Sequence, residues 1–299
     1  MKKIISLIAV AFFLVSSGFP QTVQTTAPAT APPSASFKLE YQNAELDSKL
    51  MARKMPYRII LPADYAASKN RYPVIYLLHG LTGHYGNWTD KTKLAEYAAS
   101  HNFVIVTPEG NNGWYTDSST VPTDKYESYI VKELVPEIDR KFRTVADRDH
   151  RTIAGLSMGG FGAIKFGLKY PEIFSLVGSF SGALFASTYK SAEQLPAGNI
   201  RTSLVAIFGE GGGPIQTAND ITAMVRDATA DKIKTFPYFY ISCGTEDFLF
   251  QNNRDFQAVL IEKKVPHEYR EHPGIHDWIF WDDQVREFLM LADRRLSGK

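Results

Sequence analysis

The chain has 299 residues, 44% of them hydrophobic and 22% charged, which is typical of a globular protein. Its 33 Lys and Arg against 32 Asp and Glu leave a net charge of +1, so a polyanion-binding surface is disfavoured and we expect no nucleic-acid partner. The single cysteine, Cys243, excludes an internal disulfide and a cysteine-based zinc cluster. A large hydrophobic core must therefore stabilise the fold.

The first 36 residues are predicted to lie outside that core. Lys2 and Lys3 precede an apolar stretch over residues 4–15 and then small residues, which predicts a signal peptide over residues 1–20. Residues 21–36 are rich in Thr, Ala and Pro and carry no charge, which predicts a flexible linker. No later apolar run is long enough to cross a bilayer, so we expect a secreted or periplasmic protein with no membrane span after signal removal.

Strand and helix patterns alternate from Phe37 onward. Strands are predicted over residues 58–61, 74–78, 103–107, 151–155, 175–180, 238–242 and 268–270, and helices over residues 94–100, 126–142, 159–170 and 278–296. This alternation predicts one α/β domain over residues 37–299, with a mostly parallel sheet flanked by helices. The alternation lapses between residues 184 and 236, which predicts a small cap-like insertion of loops and helices.

The strongest chemical signal is the run Gly155-Leu156-Ser157-Met158-Gly159. A predicted strand leads into it and a helix rich in small residues leads out, which is the setting of a nucleophile elbow. The glycines allow a sharp turn that lifts the hydroxyl above the sheet, at a helix N-terminus that favours negative charge. The pattern predicts that Ser157 is a nucleophile, and an ordinary glycine-rich turn is the alternative.

A second glycine-rich loop, Gly80-Leu81-Thr82-Gly83, follows the buried strand over residues 74–78. An elbow serine needs an N–H donor from a loop after an earlier strand, in addition to the N–H that follows the serine itself. We therefore predict an oxyanion hole formed by the N–H groups of Leu81 and Met158. His79 is interpreted as a hydrogen-bonded organiser of this loop, not as the base.

A nucleophilic serine also needs a base and an acid that orients the base. On an α/β sheet the chain order is serine, acid, histidine. Three histidines follow Ser157 at suitable distance, and the loop position after the last strand favours His276 over His267 and His272. Asp247 follows the strand over residues 238–242 through a glycine turn and is favoured as the acid, with Glu246 and Asp277 as alternatives.

Together these motifs resemble the putative-esterase family, which includes esterase D, feruloyl and acetyl-xylan esterases, tributyrin esterases and mycolyltransferases. The similarity extends over about residues 37–295 and is carried by residues 72–80, 87–88, 113–117, 129–139, 155–160, 243–247 and 276–278. The resemblance implies an α/β-hydrolase fold and a triad of Ser157, Asp247 and His276. Ile275 departs from the glycine that many members have before the histidine.

Four further side chains are predicted to bind substrate, with core packing as the alternative: Trp88, Trp114, Tyr115 and Asp117. Residues 209–214 lack the Lys-Ser/Thr pair of a phosphate loop, and no metal-ligand spacing is present, so no cofactor or metal is implied. We hypothesise a secreted serine carboxylesterase that forms an acyl-enzyme from a small-molecule or polysaccharide-linked ester. The alternatives are an acyltransferase to an acceptor alcohol and a non-catalytic carbohydrate-binding protein.

Overall fold

The structure, a computed structural model, describes residues 39–296, so the predicted signal peptide and linker lie outside the described residues. Eight strands form one sheet: β1 (Tyr41–Ser48), β2 (Arg53–Ile60), β3 (Val74–Leu78), β4 (Val104–Pro108), β5 (Arg151–Leu156), β6 (Leu176–Phe180), β7 (Tyr238–Gly244) and β8 (His267–His272). Their order is β1-β2-β4-β3-β5-β6-β7-β8. The pairs β1–β2 and β2–β4 are antiparallel and the other neighbours are parallel, which confirms the predicted mostly parallel α/β sheet.

The central strands are buried along their whole length, because helices cover both faces of the sheet. Every residue of β3, β4, β5 and β6 is buried. Alternate residues of β3 contribute to two separate hydrophobic clusters, Val74 and Tyr76 to one and Ile75 and Leu77 to the other. Since successive side chains of a strand point to opposite faces, each face of the sheet carries its own core.

Strand β1 was not predicted from the sequence, and β2 begins earlier than expected. Most side chains of β1 are partly or fully exposed, so its sequence contains no apolar run. Its position at the edge of the sheet explains this polarity, because an edge strand has only one neighbour and a solvated face.

The helices are α1 (Asn87–Lys91), α2 (Leu94–Tyr97), α3 (Tyr126–Tyr129), α4 (Val135–Lys141), α5 (Met158–Lys169), α6 (Asn199–Phe208), α7 (Pro214–Thr217), α8 (Ile221–Arg226), α9 (Ala230–Thr235), α10 (Phe250–Glu262) and α11 (Trp278–Leu296). The single helix predicted over residues 126–142 is divided by a π-helical segment, Ile130–Leu134. A proline ring clashes with the carbonyl four residues before it, and the wider turn ahead of Pro136 accommodates that ring.

Helices α6 to α9 fall within residues 184–236, where the β–α alternation lapses in the sequence. The described part of this segment contains short helices and connecting loops and contributes no strand to the sheet. In residues 39–296, no helix combines the length and apolar character that crossing a membrane requires.

Candidate active site

Ser157 lies at the sharp turn between the central strand β5 and helix α5. Its φ of 52° and ψ of −114° place a non-glycine residue in a region that L-amino acids rarely adopt. The turn is held by main-chain hydrogen bonds: the Ser157 N–H donates to Phe180 O at 3.0 Å, and Ser157 O accepts from Ala183 N at 3.0 Å. The strained turn is therefore fixed by the neighbouring strand and the loop that follows it.

The glycines on either side of Ser157 are required by close packing against β3. A Cβ atom added to Gly159 would lie 2.5 Å from Leu78 O, and one added to Gly155 would lie 2.6 Å from the Gly159 backbone. Real Cβ atoms do not approach so closely, so any side chain at these two positions would force the elbow away from β3. The sequence pattern around Ser157 is thus a consequence of tight backbone packing.

His276 connects Ser157 to Asp247. The Ser157 hydroxyl donates to His276 Nε2 across an Oγ–Nε2 distance of 3.0 Å. On the other side of the ring, Nδ1–H donates to Asp247 Oδ2 across 2.8 Å. Asp247 follows β7 and His276 follows β8. Because β5, β6, β7 and β8 are parallel, these strands have their carboxyl ends on the same side of the sheet. Three residues far apart in sequence are therefore joined in one hydrogen-bonded chain.

Asp247 is buried, and its carboxylate is fully satisfied by hydrogen bonds. Oδ1 accepts from the Leu249 N–H at 2.8 Å, while Oδ2 accepts from His276. Burial alone would raise the pKa of Asp247, but the hydrogen bonds from His276 and Leu249 outweigh burial and lower it. The carboxylate is thus held ionised beside the histidine.

The His276 ring is fixed by two aromatic neighbours that the sequence did not identify. The Phe248 ring centroid lies 4.6 Å from it and that of Trp281 lies 4.9 Å away, nearly perpendicular. Phe248 remains 68% exposed, so it covers the histidine at the rim of the site. The sequence signal for both was their proximity to Asp247 and His276.

The alternative acids have other functions. Glu246 Oε2 accepts from the Gly274 N–H at 2.6 Å and Glu246 N donates to Gly274 O, which ties the acid loop to the histidine loop. Asp277 Oδ1 accepts from the Phe280 N–H at 3.0 Å in the first turn of α11, as expected of a helix cap. His267 begins β8 and His272 ends it, so neither occupies the loop of His276.

A cavity of about 420 Å³, which we call the catalytic cavity, opens at Ser157 and His276. Five aromatic side chains line it: Trp114, Phe185, Phe248, Trp278 and Trp281. Leu81 and Ile200 of α6 also line this cavity. Apart from Trp114 and Leu81, the sequence did not single out this lining, because it comes from four separate loops and helices.

Of the four predicted substrate-binding side chains, Trp114 lines the catalytic cavity and the other three lie away from it. Trp88 is fully buried, and its Nε1–H donates to Leu78 O at 3.1 Å. Tyr115 is also fully buried, and its hydroxyl donates to His79 O at 3.0 Å. Asp117 accepts from the N–H and hydroxyl of Ser128. The structure therefore brings Trp114 alone of the four to the catalytic cavity, while Trp88, Tyr115 and Asp117 form hydrogen bonds within the surrounding loops.

The loop that carries Leu81 is held from behind by His79. This histidine is 1% exposed, and its Nδ1–H donates to Gly80 O at 2.8 Å. Its Nε2 lies 3.1 Å from Glu109 Oε1, and the Gly83 N–H also donates to Gly80 O. These contacts agree with the loop-organising role predicted for His79.

Glu109, which sequence reasoning missed, is the buried partner of His79. Burial alone would raise the pKa of Glu109, but hydrogen bonding to His79 and to the N–H groups of Asn111 and Tyr85 lowers it. The carboxylate therefore links the His79 side chain to two segments of backbone, at Tyr85 and at Asn111. In residues 39–296 no group of three or more His, Cys, Asp or Glu side chains is arranged to hold a metal ion.

A sequence model described as Putative esterase matches residues 48–290 of the chain. The chain is 29% identical to an acetyl esterase of Caldicellulosiruptor saccharolyticus over 251 residues, which are 80% of this chain and 92% of that protein. It is 31% identical to an esterase of Mycobacterium tuberculosis over 249 residues, which are 76% of this chain. The match covers 53% of that mycobacterial protein, so the chain spans about half of its length.

Solved structures with the same α/β-hydrolase fold include a ferulic acid esterase, with a TM-score of 0.73, 28% identity and coverage of 86% of this chain and 99% of that one. A second is the fluorophosphonate-binding serine hydrolase F of Staphylococcus aureus, with a TM-score of 0.76, 26% identity and the same coverage. Both similarities extend over nearly all of the described residues.

Proposed function

The chain belongs to the Putative esterase family and is a carboxylic ester hydrolase, and from that premise we propose that it acts through Ser157, His276 and Asp247 as a serine carboxylesterase. The observation that carries the proposal is the continuous hydrogen-bonded chain from Ser157 Oγ through both ring nitrogens of His276 to Asp247. Its geometry meets the requirement for a nucleophile, a base within reach of it, and an acid that orients the base.

In the proposed reaction, Ser157 Oγ attacks the ester carbonyl while His276 Nε2 accepts the hydroxyl proton. The tetrahedral intermediate collapses when His276 donates this proton to the leaving alcohol, which yields an acyl-enzyme. Water then attacks the acyl-enzyme with His276 again as base, and Ser157 is released. The buried Asp247 carboxylate keeps the proton on Nδ1, so that Nε2 is free to accept one.

The N–H groups of Leu81 and Met158 are proposed to bind the oxyanion. Met158 is the first residue of α5, where an N–H has no partner within its own helix. Leu81 lines the catalytic cavity beside Ser157. The peptide between Gly80 and Leu81 has its carbonyl fixed by His79 and Gly83, and a trans peptide directs its N–H to the opposite side. The contacts behind the loop therefore orient a donor in front of it.

The lining of the catalytic cavity supports an apolar acyl group as the part of the ester bound there. Aromatic side chains provide large apolar contact areas, and Trp114, Phe185 and Trp278 enclose the cavity from different elements. A cavity of about 420 Å³ can enclose a small organic group.

We also propose that the protein is exported. The support is the basic start, apolar stretch and small residues that predict a signal peptide over residues 1–20. Expression of the full chain in a bacterial host tests this proposal. We expect a shortened protein outside the cytoplasm, and a full-length protein that remains in the cytoplasm would contradict export.

Labelling by a fluorophosphonate combined with turnover of p-nitrophenyl acetate tests the catalytic proposal. We expect covalent labelling at Ser157 and loss of labelling in Ser157→Ala, because only an activated serine attacks the phosphorus centre. Labelling at another residue, or none, would reject Ser157 as the nucleophile. Adding methanol during turnover identifies acyl transfer, since an enzyme that transfers acyl groups would release methyl acetate in preference to acetate.

A further inference from the structure

Helix α5 carries a lysine, Lys165, that is fully buried and that the proposed mechanism does not use. An ammonium group has three N–H donors, and Lys165 Nζ has three acceptors within reach: Glu127 Oε2 at 2.7 Å, Tyr115 O at 2.5 Å and Thr116 Oγ1 at 2.8 Å. The first contact balances the charge, and the other two hold a turn that borders the catalytic cavity. A buried charge is costly, so these two contacts point to a role beyond filling the core.

Residues 114–116 form this turn, which we call the wall turn because Trp114 lines the catalytic cavity. The φ angles of Trp114 and Tyr115 are 50° and 51°, so two consecutive bulky residues lie in the left-handed region that L-amino acids disfavour. Such a conformation persists only where the surrounding contacts enforce it, and it is concentrated at functional sites. A strained turn that positions a cavity wall therefore needs an anchor.

Helix α5 contacts the wall turn at three places. The Phe161 ring meets the Trp114 ring edge to face, with the centroids 6.0 Å apart. A Cβ atom added to Gly162 would lie 2.8 Å from Tyr115 Cδ2, so the glycine lets the tyrosine ring lie against the helix. One turn further along, Lys165 donates to the Tyr115 carbonyl. Because α5 begins at the nucleophile elbow, these contacts fix the wall relative to the nucleophile.

Hydrogen bonds connect the lysine to Trp114 itself. Thr116 Oγ1 accepts from Lys165 and donates to Trp114 O at 2.9 Å, so the ammonium group is linked to the main chain on both sides of Tyr115. The indole ring is held separately, because Trp114 Nε1–H donates to Ser203 Oγ of α6 at 2.9 Å. The bonds from Lys165 therefore tie the main chain of the wall turn to the helix that follows the nucleophile.

We propose that Lys165 is a positioning residue that holds the wall turn in its strained conformation and thereby sets the preference of the enzyme among acyl groups. The proposal rests on the proposed function, since it needs an acyl group bound beside Ser157. Without the ammonium group the turn relaxes towards negative φ, and the Trp114 ring leaves the catalytic cavity. A longer acyl chain then loses an apolar contact that an acetyl group is too short to make.

The test measures the ratio of kcat/KM for p-nitrophenyl hexanoate to kcat/KM for p-nitrophenyl acetate. We expect Lys165→Met to lower this ratio by about five- to tenfold, because contact with one aromatic wall is lost. A merely structural role would lower both rates in proportion to the folded fraction and leave the ratio unchanged. An unchanged or increased ratio would overturn the role of Lys165 while leaving ester hydrolysis intact. Hydrolysis of neither ester by the unaltered chain would instead overturn the proposed function.

Lys169→Met is the matched control. Lys169 also lies on α5 and pairs with Glu127, but within residues 39–296 its other hydrogen bond goes to Asn219 Oδ1 and not to the wall turn. Each variant leaves Glu127 with one lysine, so the two differ in the contact to the wall turn. We expect Lys169→Met to retain the ratio. A fall as large as that in Lys165→Met would assign the effect to the ion pair and overturn the proposal.

A double-mutant cycle tests whether Lys165 acts through Trp114. Trp114→Leu removes the aromatic wall directly and should lower the ratio by a similar factor. The combined variant should lower the ratio no further, because the lysine then has no aromatic wall to position. Additive effects of the two substitutions, or an unchanged ratio in Trp114→Leu, would overturn the proposal.

If Lys165→Met does not fold, the double variant Lys165→Met/Glu127→Gln provides the same measurement. It removes both charges of the buried pair, which a fold tolerates better than the loss of one partner. The amide oxygen introduced at position 127 can still accept from the Tyr170 hydroxyl, as the carboxylate does. We expect the same fall in the ratio, and an unchanged ratio in this variant would overturn the proposal.

Discussion

The strand that carries Ser157 and the strand that carries His276 differ in how firmly the fold holds them. Strand β5 lies between β3 and β6, and all its residues are buried. Strand β8 is an edge strand, and its side chains are half-buried or exposed. The nucleophile is therefore positioned by the core of the sheet, whereas the base depends on local contacts of its own loop.

The charged groups show the same contrast. Behind Ser157, Lys165 of α5 is fully buried and donates to Glu127, Tyr115 O and Thr116 Oγ1. Beside β8, the Arg254–Glu271 pair is largely solvated. Buried ion pairs are intolerant of losing one partner, while solvated pairs contribute little to stability. One hydrogen-bonded chain is therefore supported by two different kinds of structure.

The largest expected effect comes from removing the nucleophile at the firmly held end. Ser157→Ala should lower kcat by about 10⁴- to 10⁶-fold, with a residual rate from the oxyanion donors. Ser175→Ala, immediately before β6, is the control and should stay within about twofold, because within residues 39–296 its hydroxyl donates to Asp149 O and not to the triad. Steady-state kcat for p-nitrophenyl acetate measures both, and an active Ser157→Ala enzyme would exclude the serine mechanism.

Next to the loosely held base, Asp247→Asn should lower kcat by about 10³- to 10⁴-fold, because asparagine no longer fixes the proton on His276 Nδ1. Asp277→Asn should cost less than about tenfold, since asparagine caps α11 as well as aspartate does. Circular dichroism confirms folding of both variants. The assignment of the acid fails if Asp277→Asn is the inactive enzyme and Asp247→Asn is active.

The buried ion pair between Lys165 of α5 and Glu127 should make the stability of the fold depend on pH. Burial alone would raise the pKa of Glu127, but Lys165 and Lys169 lower it to about 2, against an ordinary value of 4.5. A carboxyl group whose folded pKa is depressed stabilises the fold above its unfolded pKa, so this stabilisation should be lost as the pH falls from about 4.5 towards 2.

Glu127→Gln should therefore lower the free energy of unfolding at pH 7 by about 3–5 kcal/mol, because it leaves Lys165 buried and unpaired. It should also flatten the dependence of stability on pH between about 4.5 and 2. Glu271→Gln at the solvated pair is the matched control and should melt near the wild-type temperature. Urea unfolding at several pH values measures the difference, and equal curves for the two variants would refute the contrast.

The smallest expected effect is on the orientation of the oxyanion donor. His79→Ala should lower kcat by about 10- to 100-fold with little change in KM, less than the loss of a whole oxyanion donor. His79→Asn should recover part of this loss, because its amide nitrogen can replace Nδ1 as donor to Gly80 O. A merely structural role would instead lower the melting temperature and leave kcat per folded molecule unchanged.

The sequence predicted those features of the fold and the site that are encoded by residues close together in the chain. The buried strands were predicted because apolar residues dominate β3, β4 and β6, and the turn at Ser157 because its glycines and serine lie close together in sequence. Strand β1 was missed because an edge strand with polar side chains has no apolar periodicity.

The cavity walls could not be predicted in the same way. Trp88 and Trp114 are both tryptophans, and the sequence does not distinguish them. In the structure Trp88 is buried in the hydrophobic core, whereas Trp114 lines the catalytic cavity. Phe248 covers His276 only because the loops after β7 and β8 meet in space. Such contacts depend on packing between distant segments, which neither composition nor periodicity encodes.

Cys243, the only cysteine of the chain, has a consequence for how the protein could be studied. It lies in β7 with no exposed surface, and burial raises the pKa of its thiol to about 12, so almost no reactive thiolate is present at neutral pH. A thiol reagent can modify it only after the sheet has opened. The rate of modification in native conditions therefore measures how often the core opens. Cys243 reports this motion without the introduction of a further cysteine.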